Sequence, residues 1–241
     1  MFLEKYARSF FKRKMVVVGV SILLVILLLF KTGYLGEGNK VRIACVGDSL
    51  TYGSGVLKTR ETNSYPAKLQ KKLGNSYEVL NFGLRNATAS AQGDLPYLES
   101  EEYAQSLESN PDIVILMLGT NDSKISNWDP VEYEAGLRKL LESYIALDNA
   151  PTVYLIRSPY CFAVDGSDIA EYTIQPSVVE NEIGAIAKTL AEEEGVSFID
   201  LYSVTDGQNE LYTSDGIHFN KSGYELFSST IYQYLLEEIE E

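Results

Sequence analysis

Between residues 41 and 199, short apolar runs alternate with longer amphipathic stretches. The runs, at 41–46, 77–81, 113–118, 152–156 and 196–199, are rich in β-branched residues and do not alternate polar with apolar. That is the pattern of strands buried on both faces of a parallel sheet. Helical spacing is predicted over 65–73, 89–108, 131–147, 178–194 and 222–238. Five βα units in succession predict an α/β fold, a three-layer α/β/α sandwich around a five-stranded parallel sheet, with the ligand site beyond the carboxyl ends of the strands. Residues 158–176 show no clear period and are longer than most αβ connections, which makes them a candidate substrate loop.

A different pattern occupies the start of the chain. Residues 15–30 are sixteen positions without a charge, preceded by Lys12, Arg13 and Lys14 and closed by Lys31. As a helix of about 24 Å the run falls short of the roughly 30 Å hydrocarbon layer, but snorkelling lysines and residues 32–35 extend its reach. The reading is a basic cytoplasmic tail over 1–14, a transmembrane anchor over 15–35, a linker over 36–40 and a catalytic-size domain over 41–241. A cleaved signal peptide has a similar start. The lack of an A-x-A site after Phe30 favours an uncleaved anchor, and both readings export the domain.

Charge sharpens this division. Residues 1–40 hold seven basic and two acidic side chains, a net of +5, whereas 41–241 hold 13 basic and 32 acidic, a net of −19. So acidic a body is repelled by phosphate backbones, so nucleic acid is not an expected partner. Cys45 and Cys161 are too few for a disulfide framework and stand in no CxxC or Cys/His cluster. Both are expected as buried small hydrophobes, and no metal is implied.

Four motifs fall where the predicted sheet keeps its ligand. The first run leads into Gly47-Asp48-Ser49-Leu50-Thr51-Tyr52-Gly53. A serine at a glycine-flanked strand end can present its hydroxyl on an exposed turn with backbone amides facing the same space, as acyl transfer requires. This is not the G-x-S-x-G elbow, because Thr51 stands at the second glycine. The third run leads into Gly119-Thr120-Asn121-Asp122, where an amide side chain could donate to an oxyanion, and the second into Gly83-Leu84-Arg85-Asn86, where Gly83 could offer a backbone donor. Asp215-Gly216-Ile217-His218 precedes the last helix; His218 is the only histidine in the chain, and a carboxylate three residues earlier can fix its tautomer. Taken singly, each motif is also an ordinary turn or loop sequence. Their joint placement is far more specific than any one of them.

Together these blocks resemble the SGNH, or GDSL-like, hydrolase family of serine esterases, over about residues 41–238. The resemblance implies a flavodoxin-like α/β/α fold and a catalytic triad of Ser49, Asp215 and His218. It also implies an oxyanion hole from the amides of Ser49 and Gly83 and the side chain of Asn121, with Asp48 and Asp122 as hydrogen-bonding partners behind them and no metal or organic cofactor. Where many relatives have a second small residue after the second-block glycine, this chain has Arg85 and Asn86, a departure that points to substrate selectivity. The expected protein is an exported, membrane-anchored serine esterase that hydrolyses small acyl groups, such as O-acetyl on carbohydrate, through an acyl-enzyme. The alternatives are an O-acyltransferase acting on cell-wall or polysaccharide hydroxyls, a lysophospholipase or other lipid esterase, and a glycan-binding domain with an idle triad.

Overall fold

Five strands, β1 (Val41–Gly47), β2 (Tyr77–Gly83), β3 (Ile113–Met117), β4 (Thr152–Arg157) and β5 (Ser197–Asp200), form one parallel sheet in the order β2-β1-β3-β4-β5. The computed structural model describes residues 40–240, with side chains through 237. The tail and anchor expected over 1–35, and nearly all of the linker, lie outside the described residues. Among the described residues no helix is long and apolar enough to cross a membrane.

The strands lack an apolar/polar alternation because both faces of the sheet are covered. In β1, Ala44 and Val46 enter one core while Ile43 and Cys45 enter the other; β3 divides likewise into Val114 and Leu116 against Ile115 and Met117. The principal helices are α1 (Ser49–Tyr52), α2 (Tyr65–Leu73), α3 (Glu101–Glu108), α4 (Pro130–Ile145), α5 (Gly184–Glu194) and α6 (Lys221–Glu240). Leu137, Leu140 and Leu141 of α4 and Ala187 and Leu190 of α5 cover the Ala44 face. Tyr65 and Leu69 of α2 and Tyr224, Phe227 and Ile231 of α6 cover the Ile43 face. Cys45 and Cys161 are free and buried, and burial pushes both thiols up to about 12, which suits small core hydrophobes.

One expected helix is largely absent. Of residues 89–108 only α3 is α-helical, and 89–100 run as an irregular segment with a single 3₁₀ turn at Tyr97–Glu99. The Ala89 and Ser90 amides, which a helix begun at 89 would leave without intrahelical acceptors, donate to the Asp122 carboxylate at 3.0 and 2.8 Å. Thr88 accepts from the Tyr97 amide and gives its own amide to Leu95, both at 2.9 Å. Pro96 cannot continue a helix, and the first cap comes at Ser100, whose hydroxyl accepts the Tyr103 amide.

The strand order sets the position of the site. The chain leaves β1 toward β2 on one side of the sheet and returns past β1 to β3 on the other, so the connections after β1 and β3 diverge and leave a crevice between them. Ser49 follows β1 and Asn121 follows β3.

Candidate active site

Asp48 caps α1: its Oδ1 accepts the Leu50 amide at 2.9 Å, which starts the helix at the next residue after the strand. Ser49 is therefore the first helical residue, with an amide that has no intrahelical acceptor. Its hydroxyl lies 2.8 Å from His218 Nε2. The chain just past α1 must come very close to the histidine segment for this to happen. A Cβ on Gly55 would collide with the Phe219 carbonyl and come within 3.3 Å of His218 Cβ, so only glycine allows that approach.

His218 sits in a tight turn in which the Thr213 amide donates to the His218 carbonyl at 2.8 Å. Asp215 organises the turn from within. Its Oδ1 accepts from Thr213 Oγ1 and from the Ile217 and His218 amides at 2.8 to 2.9 Å, while Oδ2 faces His218 Nδ1 at 2.7 Å. Burial by itself would raise this carboxyl, but the hydrogen bonds from the His218 ring and the two amides outweigh it and hold Asp215 well below the usual carboxylate range. Asn220, two residues on, caps α6 by accepting the Ser222 and Gly223 amides.

Asn121 is buried and tied on both sides. Its Nδ2 donates to the Ala87 carbonyl at 3.1 Å and lies 3.4 Å from Asp48 Oδ2, while its own carbonyl accepts from Asn127 Nδ2 at 3.0 Å. Asp48 is thus both helix cap and neighbour of Asn121. Burial raises its carboxyl to about 6, against the lowering pull of the Leu50 amide, His218 and Lys124. Asp122 is fully buried and pushed up to about 7 by desolvation, despite the Ser90 and Ala89 amides that it accepts. Ser49, His218, Asp215, Asn121 and Asp48 are therefore brought together in one crevice, with Asp122 bracing the backbone beside it.

The sequence pattern of the GDSL-like lipase/acylhydrolase family matches residues 45–226 of this chain. The chain belongs to that family. The acetylxylan esterase of Xylanibacter ruminicola is 31% identical over 204 residues, which cover 76% of this chain and 40% of the relative. This chain thus spans about two fifths of that relative's length. The solved M. smegmatis aryl esterase superposes with a TM-score of 0.66 at 23% identity, covering 81% of this chain and 98% of that one. A carbohydrate acetylesterase from Sinorhizobium meliloti superposes with a TM-score of 0.65 at 21% identity, covering 82% and 99%. These two likenesses show the fold.

Within this GDSL-like chain, one expected donor is elsewhere. The Gly83 amide, expected in the oxyanion hole, donates at 3.0 Å to Asn81 Oδ1, and a Cβ on Gly83 would collide with the backbone of Tyr52. Gly83 is needed for the close packing of β2 against α1, and its N–H is already engaged. Three residues later Asn86 adopts a left-handed conformation, φ 68°, and its amide finds no protein acceptor among the described residues. It stands between Leu84, whose amide donates to Gly47, and Ala87, whose carbonyl accepts from Asn121. Asn is among the few non-glycine residues that tolerate this conformation, which is the one sequence signal that could have singled it out. Arg85 and Asn86 are both exposed.

Sequence reasoning also missed Tyr172, from the aperiodic 158–176 segment, whose ring meets His218 edge-on. The same segment borders an open cavity of about 410 Å³ lined by Tyr160, Phe162, Asp168, Glu180 and Tyr202 among others. Neither Ser49 nor His218 lines it; its link to the site is the Phe162 amide, which donates to the Gly216 carbonyl at 3.0 Å.

Proposed function

We propose that this chain hydrolyses carboxylic esters through a covalent intermediate on Ser49, and that its substrates are O-acetyl groups on carbohydrate. The observation that carries the reading is the hydrogen-bonded series from Ser49 Oγ to His218 Nε2 at 2.8 Å and from His218 Nδ1 to Asp215 at 2.7 Å, beside Asn121. His218 Nε2 takes the Ser49 proton as Oγ bonds to the ester carbonyl carbon, and the carbonyl π electrons move onto oxygen. Asp215 accepts from Nδ1–H, fixes the tautomer and stabilises the imidazolium. The oxyanion accepts from the Ser49 amide and from the Asn121 Nδ2 proton that makes only the long 3.4 Å approach to Asp48. The part expected of Gly83 falls in this reading to the turn after β2, where the Arg85 and Asn86 amides have no protein acceptor among the described residues. Collapse of the tetrahedral adduct breaks the bond to the alcohol oxygen, which leaves with the proton held by His218. Water then repeats the sequence and releases acetate.

The acetylated-carbohydrate reading is supported by the acetylxylan esterase relative and by the charge of residues 41–241, which disfavours anionic substrates. Acetate release from acetylated xylan and p-nitrophenyl acetate by the full chain, beside Ser49→Ala, tests it. Turnover that falls by at least about 10³-fold in the variant is expected. Preference for long acyl chains would make the protein a lipid esterase, and acetyl appearing on an added sugar acceptor would make it a transferase. Glycan binding without turnover would leave a binding domain.

The apolar run at 15–30 and its basic flank support export, with residues 15–35 as an anchor and the acidic body outside the cell. Retention of the full chain in membranes after alkaline carbonate extraction is the expected result; release would mean cleavage.

A further inference from the structure

Tyr172 lies in a connection after β4, yet its ring meets the His218 imidazole with centroids 6.1 Å apart and planes at 71°. More than half of this large side chain, 56%, is exposed to solvent. The backbone that presents it is held in a conformation unfavourable to side chains, since Tyr172 and Thr173 both have positive φ, 59° and 62°. Strained backbone persists where its surroundings over-determine it. Here the turn is closed by the Ala170 amide donating to the Ile174 carbonyl at 2.9 Å, with Ile174 buried. It is then clamped to the segment that follows Asn121: the Ile125 amide donates to Thr173 at 3.1 Å, and Gln175 gives both its amide and its Nε2 to the Ser123 carbonyl. Ile125 itself is 59% exposed.

Which half of a substrate meets the ring follows from the route proposed above. The oxyanion must lie toward Asn121 and the Ser49 amide, whereas the leaving oxygen must receive its proton from His218 Nε2. The alcohol half of the ester therefore lies on the histidine side, where Tyr172 stands. A water-exposed aromatic ring offers a large, rigid and partly apolar surface that matches the C–H face of a pyranose, and a tyrosine loses little side-chain freedom in providing it. We infer that Tyr172 is the platform for the sugar ring that carries the ester, and so sets selectivity for acetylated glycan over simple acetates. The inference rests on the reading of the site as a carbohydrate esterase.

The test compares the full chain with Tyr172→Gly and Tyr172→Phe on an acetylated xylo-oligosaccharide and on ethyl acetate, both followed by acid release. Glycine suits φ 59°, so that variant should keep or raise Tm while losing the ring. The expected result is a rise in KM for the oligosaccharide, so that its kcat/KM relative to ethyl acetate falls tenfold or more in Tyr172→Gly and stays within twofold in Tyr172→Phe. A ratio unchanged in Tyr172→Gly, or equal losses on both substrates, overturns the platform; equal losses would mean that the ring only positions His218. Wild-type protein that releases acid from neither substrate overturns the esterase reading and the platform with it.

Discussion

Asn121 Nδ2 donates to the Ala87 carbonyl at 3.1 Å and makes a longer contact of 3.4 Å to Asp48, so a single side chain ties two loops together and, in the mechanism proposed above, also offers a donor to the oxyanion. Its truncation should separate these roles. Asn121→Ala is expected to lower kcat by about 10²–10³-fold with a smaller change in KM, as loss of one oxyanion donor does elsewhere; unchanged steady-state kinetics would remove it from the oxyanion site. Gly83 calls for the opposite outcome. A side chain there meets the Tyr52 backbone, so Gly83→Ala should cost about 1–3 kcal/mol in urea unfolding, as overpacking does. A variant that unfolds like wild type yet loses a hundredfold in kcat would return Gly83 to the oxyanion hole. The sequence could not distinguish the two uses of this glycine. A glycine kept for close packing and one kept for a backbone donor look the same until the partner of its N–H is known, and that partner is the side chain of Asn81.

Among the elements, the strands were legible to within two residues at each end, because strands buried on both faces must be continuous apolar runs whatever they pack against. Residues 89–100 were not, because Thr88 pairs with Leu95 and Tyr97 across the segment while Asp122, some thirty positions away, holds the Ala89 and Ser90 amides, and no local propensity records those partners. This anchorage should be visible in the pH dependence of stability. Burial raises Asp122 to about 7, so the folded chain holds this proton more tightly than the unfolded one. The stabilisation is complete below the unfolded value of about 3.9 and is lost as pH rises through 7. Asp122→Asn, which does not ionise, should therefore flatten the decline of Tm between about pH 4 and 7. The flattening is partial, because Asp48, raised to about 6, contributes to the same slope. A Tm profile parallel to that of wild type would place the titration elsewhere.

At the scale of the whole molecule, the crossover from β2 past β1 to β3 opens the crevice. With a net charge of −19 over residues 41–241, acetylated polymers bearing carboxylates should be hydrolysed more slowly than neutral ones at low salt. The gap in initial rates should narrow as ionic strength rises from about 0.01 to about 0.15 M and the Debye length falls from about 30 to about 8 Å. A gap indifferent to salt would assign the selectivity to contacts within the site and not to the net charge. By itself the sequence determined the layered sheet and pointed to Ser49, Asp215 and His218, which the fold joins by hydrogen bonds, because burial on two faces and contiguous motifs at strand ends leave marks that can be read along one dimension. Only the tertiary structure decided that the Gly83 amide is taken by Asn81, that residues 89–100 run irregularly and not with a helical period, and that Tyr172 stands against His218. Each of these depends on a hydrogen bond or contact whose partner is chosen by three-dimensional proximity, and such a choice leaves no periodicity or propensity in the chain.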